Sequence, residues 1–329
     1  MSKPTAARIY RGTPRTLIRL ARRLRAGELV AVPTETVYGL AANALDARAC
    51  RKIFSAKGRP LNDPLIVHIH SLEQLELLAQ TNAAALKLAH HFWPGPLTLV
   101  LPKQEVVPGI VSAGRSSVAV RMPSHRLLRQ LLQRCGLPLA APSANPFGYI
   151  SPTTAAHVRE GLGRKIRWIL DGGPSVIGLE STIVDLRDPR QPRLLRPGAI
   201  TPEALAAVLG RAVPAPRRSG PAARAAGLLA PGSLARHYSP RTRLVLHEKL
   251  PAAHDPRHAF VFIRRPAAAR AKNIFWLDPR GDLRGAARRL FATLRRLDRL
   301  GFAEIHAQLA PGAGIALAIN DRLRRAAAR

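Results

Sequence analysis

The chain has 329 residues, enough for two cores, and its 52 Lys and Arg against 20 Asp and Glu leave a formal charge of +32. That excess attracts polyanions, would make any nucleic-acid contact steeply salt dependent, and makes RNA a candidate partner. Two isolated cysteines, Cys50 and Cys135, argue against a disulfide framework or a cysteine zinc site, and no apolar run has signal-peptide or membrane-spanning form, so a cytoplasmic protein with no membrane partner is expected.

Along the chain, residues 16–26 predict a basic amphipathic helix, and 28–32 a valine-rich buried strand running into Pro33-Thr34-Glu35-Thr36-Val37-Tyr38-Gly39-Leu40. Two hydroxyls, and a glycine that permits an unusual backbone, make this strand end a candidate ligand rim. Asp46 can cap a helix reaching Ala56, which delivers Lys57-Gly58-Arg59 at its end. Such a loop suits an anion: Gly58 lets the backbone approach, Lys57 is a mobile point charge, and Arg59 is a planar fork for phosphate or carboxylate oxygens. An ordinary basic loop after a helix is the alternative reading.

A short buried strand follows at 65–69, then Ser71 and Gln74 as a capping box. Phe92-Trp93-Pro94-Gly95-Pro96 turns the chain into a strand at 97–101, with Trp93 expected in the core. From Ser116 a further strand carries Arg121 among apolar neighbours, where it needs an anion to compensate it. Ser124 is expected to cap the next helix. Residues 142–154 form a long, weakly charged loop in which Ser143, Asn145, Gly148 and Ser151 offer hydroxyls, amides and bare backbone to oxyanions. A strand at 167–171, the segment Glu180-Ser181-Thr182-Ile183-Val184-Asp185 and a turn at Arg196 precede Thr201-Pro202-Glu203, a well-formed helix start.

A first domain therefore spans 14–210. Residues 211–240, rich in Pro, Ala, Gly and Arg, read as a linker, and Pro231, Gly232, His237 and Tyr238 make it a candidate lid. Residues 241–329 predict strands at 242–247, 259–263, 273–277 and 302–307. Two helices accompany them, at 282–300 with Leu283, Leu290, Leu294 and Leu297 on one face, and at 313–326. Gly312 and Gly314 are too sparse for a dinucleotide fingerprint.

Several ordered blocks carry a resemblance: PTETVYGL from Pro33, KGRPLNDPLIVH from Lys57, FWPGPLTLVL from Phe92, VAVRMP from Val118, APSAN from Ala141, LESTIVD from Leu179, LLRPGAIT from Leu194 and HYSP from His237. By these the chain resembles the threonylcarbamoyl-AMP synthases of the YrdC type, in their long two-domain form. The resemblance implies an α/β fold: a YrdC-like twisted sheet domain with flanking helices, plus a smaller C-terminal Rossmann-like domain. It implies a nucleotidyltransferase that joins L-threonine, bicarbonate and ATP, releases pyrophosphate, and supplies a threonylcarbamoyl-transferase machinery that modifies tRNA beside the anticodon.

Carried over by motif, Thr36, His68, Arg121 and Ser181 are threonine contacts. Arg59, Asp63, Ser117, Ser143, Ser151, Arg196 and His237 are ATP contacts, and Lys57 and Arg59 act in catalysis through their charge. No protein metal ligand is expected, Mg2+ arriving with ATP. Asn62-Asp63 stands where members often have Asp-Asn, and Ser117 where they often have threonine. Two other readings remain open on sequence: a basic RNA-binding module without chemistry, and a carbamoyl-transfer protein of the hydrogenase-maturation type, though the latter resembles a longer chain with cysteine clusters.

Overall fold

The computed structural model describes residues 7–214, 237–251, 255–267 and 271–328. In chain order these form β1 (Arg8–Arg11), α1 (Pro14–Arg25), β2 (Val30–Val32), β3 (Gly39–Asn43), α2 (Ala47–Lys57), β4 (Ile66–His68), α3 (Leu72–Leu78), α4 (Ala83–Phe92), β5 (Leu97–Pro102), α5 (Gly109–Ser112), β6 (Ser117–Arg121) and α6 (Arg126–Cys135). After these come β7 (Leu139–Ala140), α7 (Ala155–Leu162), β8 (Trp168–Asp171), β9 (Thr182–Asp185), β10 (Arg193–Arg196) and α8 (Pro202–Leu209). The last elements are β11 (Arg243–His247), β12 (Ala259–Arg264), β13 (Ile274–Asp278), α9 (Leu283–Leu297), β14 (Glu304–Gln308) and α10 (Ile315–Ala327).

Local chemistry sets most of these boundaries. Helix α1 begins earlier than its apolar pattern, because the Thr13 hydroxyl accepts the Thr16 N–H and Pro14 opens the first turn. Asp46 caps α2 by accepting from the Arg48 and Ala49 amides. Gly58 closes that helix at φ +64°, with nothing near its missing Cβ, so its glycine serves conformation and not close approach. The capping box expected at Ser71 does not form: Ser71 makes no cap bond, and Gln74 accepts the N–H of His70, the residue before the N-cap, at 3.0 Å. Ser124 does not cap α6, whose N-cap is His125; its amide donates instead to Glu35 Oε1. Trp93 is buried and donates from Nε1 to the Leu97 carbonyl.

Ten strands join in one mixed sheet, in the order β1-β8-β2-β3-β7-β4-β6-β5-β9-β10. Side chains alternate across it. Ala31, Leu40, Val67, Leu99 and Val120 face a core shared with α2, α4 and α8, while Val30, Val32, Ala41 and Leu139 face α1 and α6. Helices α1 and α6 cover only part of their face. Further along it, Ile66, Val100, Ala119 and Ile183 form a small separate patch, and there His68 and Arg121 stand as register partners on parallel β4 and β6.

The second sheet, β11-β14-β12-β13, is parallel throughout, which gives the Rossmann-like unit expected from sequence. Its core, with Leu290, Phe291 and Leu294 of α9 and Ile319 and Leu323 of α10, also takes in Val37, Ile150 and Leu179 from the first sheet's loops, and Tyr238. The two units thus share a hydrophobic core. Gly178 marks the contact: at φ +79°, a Cβ there would lie 2.5 Å from Arg288 of α9.

Candidate active site

The cleft lies over the patch that α1 and α6 leave open. It is lined by Thr34, Thr36, Val37, Gly39, Arg59, Ile66, His68, Arg121, Ala141, Pro142, Ser143, Glu180, Ser181, Arg196, His237 and Tyr238. Sequence reasoning named Thr36, Arg59, His68, Arg121, Ser143, Ser181, Arg196 and His237 among these. Gly39 is present for a reason other than the one expected: it lies in β3, and a Cβ would come 3.2 Å from that of Ala141.

Three buried arginines converge on the cleft, each oriented by the protein. Arg121 donates from Nη1 to the Thr36 hydroxyl at 2.9 Å and from Nε to the Gly95 carbonyl, and pairs through Nη2 with Glu35 at 2.7 Å. Burial works to raise the Glu35 carboxyl, but the Arg121 charge together with hydrogen bonds from Arg121 and the Ser124 amide holds the group below its ordinary value. Arg59 pairs with Asp63 at 2.8 Å and donates to the Asp63 and Pro64 carbonyls. Arg196 donates to the Ser181 carbonyl and hydroxyl, both at 3.0 Å, and that hydroxyl also meets Thr98 Oγ1 at 2.7 Å.

Beside Arg121, burial and then the guanidinium charge pull the His68 imidazole down to about 3, so it is neutral, and its buried Nδ1 has no partner among the described residues. His237 is held well below its ordinary value by burial and by Arg59, Lys57 and Arg196. Its ring packs edge-on against Tyr238, 4.1 Å between centroids. Tyr238 adopts φ +64°, rare for a side chain of that size, and its hydroxyl is buried without a partner among the described residues.

Four expected residues do not line the cleft. Lys57 is turned inward, where its ammonium donates to the Ser143 and Asn145 carbonyls at 2.5 and 2.6 Å and so braces the 142–154 loop. Burial, with Arg59 adding to it, lowers its pKa well below the ordinary value. Asp63 is taken up by Arg59, and Ser117 is buried at the start of β6. Ser151 donates to Glu180 Oε1 at 2.5 Å.

Sequence reasoning missed Glu35, Thr98 and Glu180, and with them two arginines from the second unit. Arg322 of α10, fully buried, donates from Nε to Glu180 Oε2 at 2.7 Å and from Nη1 to the Pro197 carbonyl, and its guanidinium lies 5.3 Å from the Tyr238 ring centroid. Arg295 of α9 donates to the Ile150 carbonyl at 2.6 Å. Glu35 could have been found: it is the lone acid inside an apolar, hydroxyl-rich block of a chain poor in acids.

Residues 22–198 match the family model described as telomere recombination, the Sua5, YciO and YrdC domain, and residues 200–328 match that of the threonylcarbamoyl-AMP synthase C-terminal domain. The chain belongs to the threonylcarbamoyl-AMP synthase family. Threonylcarbamoyl-AMP synthase of Pyrococcus abyssi is 44% identical over 316 residues, 92% of this chain and 91% of its own, and that of Bacillus subtilis is 41% identical over 317 residues, 92% and 90%. The crystal structure of P. abyssi Sua5 complexed with L-threonine matches at a TM-score of 0.86 with 39% identity over 98% of each chain. A variant of that protein, with histidine and tyrosine at adjacent positions changed to alanine, matches at 0.83 with 38% identity over 98% of this chain and 96% of its own. For a synthase of this family, the arginine-lined cleft is the candidate active site. No described helix is long and apolar enough to cross a membrane.

Proposed function

We propose that the chain makes L-threonylcarbamoyl-AMP from L-threonine, bicarbonate and ATP, and that the product serves tRNA modification beside the anticodon. The observation that carries this reading is the convergence of Arg59, Arg121 and Arg196 on one cleft of a family member. The threonine amine and carbon dioxide from bicarbonate give a carbamate. Its oxygen attacks the α-phosphorus of ATP as the bond to the pyrophosphate oxygen breaks, and pyrophosphate leaves. Carbamate and triphosphate are both anions, so the step needs cations to offset their repulsion and a geometry that aligns them.

In this reading Thr36, His68, Arg121 and Ser181 hold threonine. Neutral His68 can accept a hydrogen bond from the substrate, and Arg121 suits its carboxylate. Arg59, Ser143, Arg196 and His237 meet ATP directly. Asp63 acts by orienting Arg59, Ser151 by way of Glu180, and Lys57 by fixing the loop that presents Ser143. For Ser117 the buried position offers no direct route to the cleft. Glu35, Asp63 and Glu180 each face an arginine that offsets their charge, and Mg2+ would enter on the nucleotide.

His237 and Tyr238 close one side of the cleft and would exclude water from a labile mixed anhydride. They are the end of the proposed lid, whose turn at Pro231 and Gly232 lies outside the described residues. Two free, buried cysteines accord with a reducing cytoplasm, and the charge of +32 with a weak tRNA contact near the transferase machinery that takes the product. The test is pyrophosphate release from ATP with threonine or bicarbonate omitted in turn. Release requiring both supports the reading, and release indifferent to either removes it.

A further inference from the structure

The second sheet gathers side chains of metal-ligand type that the cleft does not use. Glu304 and His306 stand two residues apart on β14 and so share a face. Phe260 of β12 is the register partner of His306, and His258, two residues before it, continues the same face. His258, Glu304 and His306 each bring one ligand atom to within 4.8 Å of the others.

The surroundings of His306 orient it as a ligand. Its Nδ1 lies 2.8 Å from His247 Nε2, and the rings of His247, His258 and Phe260 lie within 23° of parallel to it, with centroids about 5 Å away. Its Nε2 is buried without an aligned hydrogen bond, 3.2 Å from Glu304 Oε2. The other Glu304 oxygen is held by Arg243 at 2.8 Å. If the His306 Nδ1–H donates to His247, Nε2 becomes a lone pair facing a carboxylate, an arrangement that a cation relieves. A hydrogen bond from the other ring nitrogen fixes the tautomer of a metal-bound histidine, and here His247 is the acceptor that could do so.

We propose that His258, Glu304 and His306 bind one divalent cation of the zinc class, through two imidazole nitrogens and Glu304 Oε2, with water completing the shell. Two imidazoles and a carboxylate form a donor set that zinc accepts. Tetrahedral bonds of about 2.1 Å place ligand atoms about 3.4 Å apart, so the group must contract. His258 precedes β12 on a turn and is half-buried, which leaves its ring room to rotate. The ion would tie β14 to the segment entering β12. None of these residues lines the cleft, so the site would support the second unit and would not take part in the reaction.

The experiment uses the full chain, stripped with a chelator and free of nucleotide, titrated with Co2+ and then Zn2+. One equivalent of Co2+ with visible ligand-field absorption, displaced by Zn2+, is expected, together with a rise in melting temperature on Zn2+ addition. His306→Ala and Glu304→Gln should abolish both effects, while His247→Ala should weaken binding about 10–100-fold. Because His258 lies on a turn, His258→Ala should melt like the metal-free wild type, which separates lost binding from lost folding. Absence of binding to the wild type, or unchanged affinity in His258→Ala and Glu304→Gln, would overturn the site.

Discussion

The cleft has two walls built on different principles. One is a strand wall, where His68 and Arg121 are neighbours because β4 and β6 are in register and their orientation comes from Glu35 and Thr36, close in sequence to one another. The other is a helix wall that stands behind the lining: Arg322 and Arg295 reach from α10 and α9 to Glu180, which lines the cleft, and to the Ile150 carbonyl, 142 and 145 positions away in sequence. The first wall adds strand pairing to its buried Arg121–Glu35 pair, whereas the described residues of the second are joined to the first sheet by buried charge and core packing without strand pairing. A buried ion pair contributes little net stability when intact but leaves an uncompensated charge when broken, so the helix wall should be the more brittle of the two.

Arg322→Ala puts that difference under the greatest load. It strands Glu180 and should cost about 3–5 kcal/mol of unfolding free energy in denaturant melts. A loss below about 1 kcal/mol would mean that the pair is solvated in the protein.

Next is Arg59→Ala at the cleft, where losing charge-assisted bonds should lower kcat/KM for ATP by roughly 10–150-fold, or about 1.5–3 kcal/mol. Lys57→Ala should instead reduce stability, because two loop carbonyls lose their donor. If Lys57→Ala lost activity with unchanged stability, Lys57 would belong to the chemistry after all.

Acid should test both walls at once. An unfolded histidine binds a proton near pH 6.5, whereas His68 does so only near 3 and His237 well below its ordinary value. The unfolded chain therefore binds more protons in this window, and stability that is full above pH 6.5 is lost as pH falls toward 3. The slope should approach about 1.4 kcal/mol per pH unit for each histidine. Glu35, with its lowered pKa, adds to the loss at lower pH, and Asp63, raised by burial, opposes it. Stability measured at pH 7 and pH 5 checks this, and His68→Gln should flatten the slope.

The smallest effect is expected far from either wall. Arg243 and Glu304 pair at 2.8 Å with the arginine more than half exposed, so Arg243→Ala should change stability by less than about 1 kcal/mol without added metal.

The strand wall was the legible one. The apolar runs at 65–69 and 116–121, and the isolation of Arg121 among apolar residues, are local signals, and they locate both strands and put Arg121 at the end of one. Lys57 shows the limit even there, since the sequence locates a charge at the end of α2 but not the direction in which its flexible stem turns. The helix wall was nearly silent. Arg322 sits in Asp321-Arg322-Leu323-Arg324-Arg325, which reads as a solvated basic face, and only the shared core with Val37, Ile150 and Leu179 buries it. In a chain so rich in arginine, no local pattern separates the buried arginine from its half-buried neighbours Arg324 and Arg325.

The most direct measurement follows labelled bicarbonate into product, with wild type and Arg322→Lys side by side. The lysine keeps the charge but lacks the fork that holds both Glu180 and the Pro197 carbonyl. With ATP and threonine present, the wild type should place the label in a species with the mass of threonylcarbamoyl-AMP, and folded Arg322→Lys should form at least about 10-fold less, the factor given by 1.4 kcal/mol of lost alignment. Unlabelled product from the wild type, or equal yields from the two proteins, would contradict a synthase whose cleft needs both walls.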